Sequence, residues 1–262
     1  MNDFRQLTTL RGDYTQAGAD YVVEQAWDRY TPAQQTLWRR LYDRQQALVQ
    51  RYACAEYLQA LGRLDLSQGI PRFEAINPAL LQATGWQIVP VPGLVPDEVF
   101  FTHLAGRRFP ATVWLREPQE FDYIVEPDAF HDIYGHVPLL FDRAYADYLE
   151  AFGKGGLRAL KHEALTFLAR LYWYTIEFGL IRTADGLKVY GAGILSSGGE
   201  MSYAIADAKP RRRDFDLLEV MRTGYDIDHF QDNYFVIESF AALRNDTAAD
   251  FVPMYARLRA CP

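Results

Sequence analysis

The sequence predicts a mainly α-helical fold, organised as a single compact domain over residues 1–262 with a few short β-strands. Apolar residues recur at helical spacing over long stretches of the chain. Only a few short segments alternate, or carry prolines, in the manner of extended chain. No internal repeat, low-complexity tract or linker rich in Pro, Gly or Ser divides the sequence. We therefore expect one hydrophobic core.

The first strong helix is predicted after Thr31-Pro32. Threonine is a favourable N-cap, and proline is favourable as the first helical residue. A second helix is predicted over Ala55–Leu61, because Gly62 follows as a termination signal. Both segments carry apolar residues at helical spacing, so both should pack against the core.

The remaining elements follow from the same signals. One helix is predicted from Asn77-Pro78 to the residue before Gly85, and others over residues 99–105, 214–222 and 233–244. Two further helices are predicted within residues 144–181, separated by Gly153-Lys154-Gly155-Gly156. Extended segments are predicted at Gln87–Val91 and residues 111–115 and 188–195. The basic run at residues 209–213 is predicted to be a solvated loop, because acidic residues follow it at once.

The composition is that of an ordinary globular protein, but it is rich in rings, with 17 Tyr and 16 Phe. These rings predict a core filled with large side chains and leave room for a ring-lined pocket. The net charge of −7 provides no general attraction to nucleic acid or anionic lipid. We therefore expect neither a nucleic-acid nor a membrane partner.

The targeting signals and cysteines indicate the compartment. The chain has no apolar stretch near the ~18 residues of a membrane span and begins without an export signal. Cys54 and Cys261 form no metal-ligand spacing and no disulfide framework. These features favour a reducing, cytoplasmic location.

Two of the five histidines, His131 and His136, lie close together in the sequence. On an ideal α-helix a gap of five residues turns by about 140°, so spacing alone does not aim both imidazoles at one point. Gly135 and Pro138 indicate an irregular helix, which would correct the aim. Metal ligation and ordinary structural histidines both remain open from this pair alone.

Glu177 strengthens the metal hypothesis, because it is a single carboxylate in an apolar and aromatic segment. Burial of an ionised carboxylate is unfavourable unless it is paired or coordinated. One interpretation is a buried ion pair with Arg170 or Arg182, and the other is a metal ligand.

Two imidazoles and one carboxylate are typical of a non-haem Fe(II) site that leaves open positions for dioxygen. Zinc is the alternative, because two His and one Glu also form some hydrolytic zinc sites. Zinc proteases of the His-Glu-x-x-His type place the catalytic Glu directly after the first His. Here Asp132 follows His131, and His136 comes one residue late. This pattern disfavours that class.

Several separated motifs in this sequence resemble the tetrahydropterin-dependent aromatic amino acid hydroxylases, in the order in which that family carries them. They are residues 92–95, 126–140, 172–180, 190–197 and 238–240. The resemblance covers roughly residues 70–240 and continues more weakly into the N-terminal helices. It implies the catalytic-domain fold of that family and a monooxygenase that uses Fe(II), a tetrahydropterin such as tetrahydrobiopterin, and dioxygen.

The resemblance also implies roles for individual residues. It gives His131, His136 and Glu177 as the iron ligands and Arg116 as the residue that receives the substrate carboxylate, where a planar guanidinium binds two oxygens. Further implied contacts are Pro127, Trp173 and Phe178 around the substrate ring, Ser196 near its amino-acid group, Gly93, Leu94, Val95, Phe100 and Asp132 at the pterin, and Glu200 just behind the metal.

Two positions bear on substrate choice. Ile227 matches a position that is apolar in family members acting on phenylalanine and acidic in those acting on tyrosine. Trp173 matches a smaller ring in members acting on tryptophan. Both favour L-phenylalanine, hydroxylated to L-tyrosine; the alternative is a tryptophan or tyrosine hydroxylase of the same family.

The sequence departs from animal members of the family in three respects. Ile124-Val125 replaces a Thr-Pro pair, and Asp132 is one methylene shorter than the animal Glu. The sequence also shows no regulatory domain and no C-terminal heptad tail for tetramerisation, so we expect a monomer. The rival functions from other classes are a zinc hydrolase and a binding module without catalysis.

Overall fold

The structure is a computed structural model that describes residues 10–226, 229–247 and 250–260. As the sequence predicts, the described chain is mainly helical, with a few short strands. Its α-helices are α1 (Pro32–Tyr52), α2 (Ala55–Leu61), α3 (Phe73–Thr84), α4 (Asp97–Ala105), α5 (Arg143–Lys161), α6 (Leu165–Tyr172), α7 (Ala192–Ser196), α8 (Glu200–Ala206), α9 (Leu217–Arg222), α10 (Phe240–Asp246) and α11 (Val252–Ala260). Two short π-helical segments, His131–His136 and Trp173–Glu177, complete the helical structure around the site described below.

The strands form two small sheets. They are β1 (Gln87–Val91), β2 (Arg108–Thr112), β3 (Leu180–Thr183), β4 (Gly186–Val189), β5 (Arg211–Asp214) and β6 (Asn233–Ile237). Strands β1 and β2 pair in parallel, and the second sheet has the order β4-β3-β6-β5. Within it β3 and β4 form an antiparallel hairpin, whereas β6 runs parallel to both of its neighbours.

The N-terminal elements confirm the capping and spacing arguments. Thr31 accepts a hydrogen bond from the Gln34 backbone N–H at 3.2 Å, and the Gln34 side chain accepts one from the Thr31 N–H at 2.9 Å. This reciprocal capping box satisfies two otherwise unpaired donors at the start of α1. The predicted bounds of α2 and β1 match the structure.

Helix α3 corrects one predicted boundary, because it begins at Phe73 and contains Pro78 in its interior. The Asn77 side chain is not a cap: it exchanges two hydrogen bonds with the backbone of Ile88 on β1. Phe73 is only 2% exposed. Packing of this first turn therefore outweighs the roughly 3 kcal/mol that an interior proline costs a helix.

Helix α5 corrects a second prediction, because it runs without a break through Gly153 and Gly156. These glycines do not end the helix; they form its contact with α4. A Cβ atom at Gly156 would overlap the Phe101 ring, and one at Gly153 would overlap the backbone at Ala105. Close helix packing explains both glycines, which were predicted to separate two helices.

The predictions nearer the C-terminus were partly wrong. Residues 233–237 form the buried strand β6 rather than the start of a helix, because a short apolar run between two strands satisfies a sheet equally well. Only residues 188 and 189 of the expected strand at 188–195 are extended, as the end of β4, and α7 begins at Ala192. The basic run at residues 209–213, predicted to be a loop, enters β5 at Arg211. Helix α9 begins later than predicted, at Leu217, and α4 begins earlier, at Asp97. Strand β2 begins three residues before the expected segment.

The described residues share one cluster of buried apolar side chains, which confirms the expected ring-filled core. Its largest fully buried members include Trp38, Trp86 and Tyr190. Cys54 is a buried free thiol, whereas Cys261 lies outside the described residues. Among the helices that the structure describes, none is long and apolar enough to cross a membrane.

Candidate metal centre

The first π-helical segment explains the spacing of the two histidines. In a π-helix each backbone N–H bonds to the carbonyl five residues earlier, so residues five apart lie on the same side. His131 and His136 are the first and last residues of this segment. Gly135 permits close packing against α7, since a Cβ there would lie only 2.8 Å from the Ala192 carbonyl oxygen. The irregular helix predicted from Gly135 and Pro138 is confirmed.

Glu177 ends the second π-helical segment and is 4% exposed. The ion-pair interpretation of Glu177 was wrong. Arg170 donates to the carbonyl oxygen of Met221, and Arg182 pairs with Asp214 and Glu238 on the surface. The carboxylate of Glu177 instead faces the two imidazoles.

The three side chains converge on one point. His136 Nε2 lies 3.1 Å from His131 Nε2 and 3.2 Å from Glu177 Oε1, and His131 Nε2 lies 3.6 Å from Glu177 Oε2. Metal–nitrogen bonds of about 2.1 Å place adjacent ligands roughly 3 Å apart. The donor set and its spacing therefore fit one divalent transition metal bound on a single face.

Electrostatics keep His131 and Glu177 in the protonation states that metal ligands require. Burial lowers the pKa of His131 to about 4, so the imidazole is neutral at physiological pH. Burial alone would raise the pKa of Glu177, but the neighbouring imidazoles outweigh it and hold this pKa at about 2. Neutral nitrogens and an ionised carboxylate are the forms that bind a metal.

Ser196 holds one of the imidazoles in place. Its Oγ lies 2.9 Å from His131 Nδ1 and 2.9 Å from the carbonyl oxygen of Ala192. The hydroxyl can donate only one proton, so it donates to the carbonyl and accepts the N–H of His131. This tautomer leaves the lone pair of His131 on Nε2, which faces the metal position.

Every predicted site residue that the structure describes lines one cavity of about 200 Å³. A cavity near 150 Å³ already holds a benzene ring, so a phenyl group fits. Ile227, predicted to influence substrate choice, lies outside the described residues. The rings of Trp173 and Phe178 are stacked 5.3 Å apart and form an apolar wall near the metal ligands.

Arg116 lines the same cavity but is not a free cation. Its Nε and Nη2 atoms donate to the two oxygens of Asp128 at 2.8 and 2.9 Å, and its backbone N–H donates to the same carboxylate. Arg116 is 3% exposed and Asp128 is fully buried. Asp128 therefore fixes the orientation of the guanidinium.

The residues predicted to contact the pterin lie on another side of the cavity. Gly93, Leu94, Val95 and Phe100 line it together with Asp132. Asp132 accepts a hydrogen bond from the Thr112 backbone N–H at 2.7 Å. Burial raises the pKa of Asp132 to about 7, against the influence of His136 and Thr112.

Glu200, predicted to lie just behind the metal, lines the same cavity near Glu177 and is 6% exposed. The Tyr234 hydroxyl donates to its carboxylate at 2.7 Å. Burial raises the pKa of Glu200 to about 7, although that hydrogen bond opposes the rise.

Sequence reasoning missed two polar residues of the site. Asp128, the partner of Arg116, lies inside the motif at residues 126–140. Its position directly after Pro127 gave no indication that it would pair with Arg116. Tyr172 lies against the Glu177 carboxylate and contributes to its low pKa. An aromatic residue beside Trp173 and Tyr174 is indistinguishable from core packing in the sequence.

The comparisons with known proteins agree with this geometry. The family described as biopterin-dependent aromatic amino acid hydroxylase matches residues 10–257. The phenylalanine-4-hydroxylase of Ralstonia nicotianae is 57% identical over 244 residues, which cover 93% of this chain and 78% of that protein. The phenylalanine-4-hydroxylase of Chromobacterium violaceum is 53% identical over 240 residues, covering 91% and 81%.

Crystal structures of the Chromobacterium violaceum phenylalanine hydroxylase are similar throughout. The structure with bound oxidised Fe(III) has a TM-score of 0.91 at 53% identity and covers 94% of this chain and 90% of that one. The structure with iron and phenylalanine bound has a TM-score of 0.90 at 52% identity, with the same coverage.

Proposed function

The chain belongs to the biopterin-dependent aromatic amino acid hydroxylases, and we propose from its geometry which residues perform the family's reaction. It is an iron- and tetrahydropterin-dependent monooxygenase that hydroxylates L-phenylalanine to L-tyrosine with dioxygen. The proposed iron ligands are His131, His136 and Glu177. The observation that supports them is the convergence of one partly buried and two buried donors, whose ligand atoms all lie within 4.8 Å of one another.

The protein's own residues position the reactants. When bound, Fe(II) and the reduced pterin together supply the dioxygen chemistry that hydroxylates the ring. Ser196 keeps the His131 imidazole in the tautomer that binds metal. The stacked rings of Trp173 and Phe178, with Pro127, form the apolar wall that we assign to the substrate ring. Burial of the ligands excludes water from the reacting face.

The substrate carboxylate and the pterin are assigned to different sides of the cavity. We assign the carboxylate to Arg116, whose guanidinium is oriented by Asp128. We assign the pterin to the side formed by residues 93–95, Phe100 and Asp132, where a flat ring has an aromatic partner and a carboxyl group. We assign Glu200 a supporting role near the ligands, where the Tyr234 hydroxyl donates to its carboxylate and holds it in place.

Selectivity among aromatic amino acids should be limited. An apolar pocket rejects an added hydroxyl only modestly, by about 10²-fold or less. Trp173 favours phenylalanine, and Ile227 is proposed to do the same. Some turnover of tryptophan or tyrosine is therefore expected beside the main reaction.

Anaerobic reconstitution with Fe(II) tests the proposal. The reconstituted protein is supplied with tetrahydropterin, dioxygen and either phenylalanine, tyrosine or tryptophan, and the products are identified. We expect one iron per chain and tyrosine from phenylalanine as the main product. Activity with Zn²⁺ in place of iron, or hydrolysis without a pterin, would contradict the iron assignment and favour the zinc hydrolase. Stoichiometric binding without any turnover would favour the non-catalytic module.

We also propose that the protein is a cytoplasmic monomer. Large exposed hydrophobic side chains in the described chain are scattered: Leu10, Leu81, Tyr123, Val125 and Phe230. The last three line the cavity and so have a role in the site. Protein interfaces usually need a larger apolar patch. Light scattering at micromolar concentration should give a mass near the 30.1 kDa of one chain, and a stable tetramer would contradict it; cell fractionation tests the compartment.

A further inference from the structure

Two polar residues of α1, Arg44 and Gln45, contact the backbone of segments that form the cavity wall, and neither belongs to the predicted site. Gln45 is fully buried, and the Arg44 side chain is 17% exposed. Arg44 Nε donates to Gln45 Oε1 at 2.9 Å, so the amide orients the guanidinium. Buried polar side chains are retained in a core only where they satisfy specific partners.

One set of partners lies at the end of α7, in the turn formed by residues 195–197. Gln45 Nε2 donates to the carbonyl oxygens of Leu195 at 2.6 Å and Ser197 at 3.1 Å. Arg44 Nη2 donates to the carbonyl oxygen of Ser196 at 3.4 Å. The last carbonyls of a helix lack partners within the helix, and a cation there is favourable. This turn carries the hydroxyl that holds His131.

The other partner is the loop formed by residues 117–126. Arg44 Nη1 donates to the carbonyl oxygen of Phe121 at 2.6 Å, and its guanidinium lies 4.6 Å from the centre of the Phe121 ring. Asp122 Oδ1 lies 3.5 Å from the same nitrogen. Residues 122–125 of this loop line the cavity, as Ser196 and Ser197 do.

We propose that Arg44 is a positioning residue for the amino-acid end of the substrate, because one guanidinium joins the two walls between which that end would lie. The inference rests on the proposed placement of phenylalanine in this cavity. Arg44 fixes the separation of the loop and the turn, so residues 122–125 and Ser196 stand at a constant distance. Arg44 itself need not touch the substrate.

The structure offers a matched control on the same helix. Arg40 lies one turn earlier, and its guanidinium also stacks on Phe121, at 4.9 Å. Within the described residues Arg40 makes no hydrogen bond to the loop or the turn. The pair Arg44→Ala and Arg40→Ala therefore separates the hydrogen-bonded connection from the cation–π contact, with the same change of charge.

The experiment measures phenylalanine and pterin binding to the iron-loaded protein by anaerobic calorimetry, and then KM and the ratio of tyrosine formed to pterin oxidised. Arg44→Ala should weaken phenylalanine binding roughly 10-fold, and Arg44→Lys, which can reach one carbonyl, about 3-fold. Pterin affinity should stay within about 2-fold, and the coupling ratio should fall. Arg40→Ala should match the wild type within about 2-fold. If Arg44→Ala does not fold, Arg44→Lys provides the same comparison.

Three results would overturn the inference. They are wild-type phenylalanine affinity in the Arg44 variants, equal losses for phenylalanine and pterin, and an equal effect of Arg40→Ala. Arg116→Lys, measured alongside, separates this failure from failure of the proposed function. If Arg116→Lys weakens phenylalanine binding while Arg44→Ala does not, the pocket assignment stands without the Arg44 connection. If neither variant changes it, the substrate placement itself is wrong.

Discussion

The metal end of the cavity and the end that we propose for the substrate's amino-acid group (the amino-acid end) are built in different ways. The metal ligands stand on two π-helical segments inside the core, where Glu177 is 4% and His136 2% exposed. The amino-acid end is formed largely by a loop, in which Tyr123 is 48% and Val125 47% exposed. The metal end is held by buried helical backbone, whereas the loop depends on side chains from elsewhere, such as Arg44 and Asp128. The first should resist local change, and the second should respond to it.

Removal of a metal ligand should have the largest effect and would test the rigid end directly. In Glu177→Ala we expect near-complete loss of tyrosine formation and of bound iron, with the fold retained, because one of three protein ligands is gone. His131→Ala and His136→Ala should behave alike. Iron is measured after anaerobic reconstitution, the fold by circular dichroism, and exposed Glu74→Ala serves as the control. Stoichiometric iron with normal turnover in Glu177→Ala would refute the ligand assignment.

The Arg116→Lys variant should have the next largest effect and tests the loop end. Lysine keeps the charge but loses the planar fork, and it leaves buried Asp128 with a poorer partner. Loss of such a contact costs about 2–5 kcal/mol, or roughly 30- to several-thousand-fold in kcat/KM. The loss should appear mainly in KM for phenylalanine, because the ring reacts at the other end.

The control for Arg116→Lys is a thermal unfolding curve. A lower melting temperature reports the loss of stability that follows from weakening the ion pair with Asp128. Tyrosine and oxidised pterin are followed independently, since poor alignment should let pterin oxidise without product. A wild-type KM for phenylalanine in this variant would mean that Arg116 does not bind the carboxylate.

Ser196 belongs to both ends of the cavity, because it contacts a metal ligand and lies in the turn at the amino-acid end. The variant Ser196→Ala should therefore have an intermediate effect. The structure places its hydroxyl on His131, whereas the sequence resemblance assigns it to the substrate's amino-acid group. Loss of a hydrogen bond to a ligating imidazole typically lowers metal affinity or activity 10- to 100-fold. Iron affinity is measured by chelator competition, with Ser202→Ala, an exposed serine on α8, as the control. Unchanged iron affinity with a raised KM for phenylalanine would restore the original assignment.

Phe100→Leu should have the smallest effect, on the pterin side. Ring stacking beyond burial contributes about 1 kcal/mol, so KM for the pterin should rise roughly 5-fold and that for phenylalanine should not change. Phe101→Leu is not a suitable control, because Phe101 packs against α5. Steady-state kinetics with varied pterin give the answer, and an equal rise in both KM values would place Phe100 outside the pterin site.

The sequence predicted the two ends of the cavity unequally well. The proposed metal ligands lie within the motifs that resemble the family, and Gly135 and Pro138 predicted an irregular helix. The sequence did not predict that this irregular helix is a π-helix. Asp128 and Tyr172 escaped because their roles depend on partners distant in the sequence. Arg44 and Gln45 were missed for the same reason. On an amphipathic helix they resemble ordinary solvated residues, and only the tertiary structure brings Phe121 and residues 195–197 into contact with them.

The same limit explains the errors in the fold. Proline and glycine are strong local signals, yet Pro78 and Gly153 lie inside helices that tertiary packing stabilises. Strand β6 was mistaken for helix because a five-residue apolar run carries no period of its own. By contrast, Thr31 and Gly62 predicted helix ends correctly, since caps are satisfied within a few residues.

The glycines of α5 have a practical consequence for thermostabilisation. Replacing a helical glycine by alanine normally gains about 0.8–1.0 kcal/mol, and a Cβ at Gly155 meets nothing within 4 Å. Gly155→Ala should therefore raise the melting temperature. Gly156→Ala, one residue later, should lower it and displace Phe101 together with its neighbour Phe100. Replacing both glycines by alanine would therefore stabilise the protein at one position and disturb the pocket proposed for the pterin at the next.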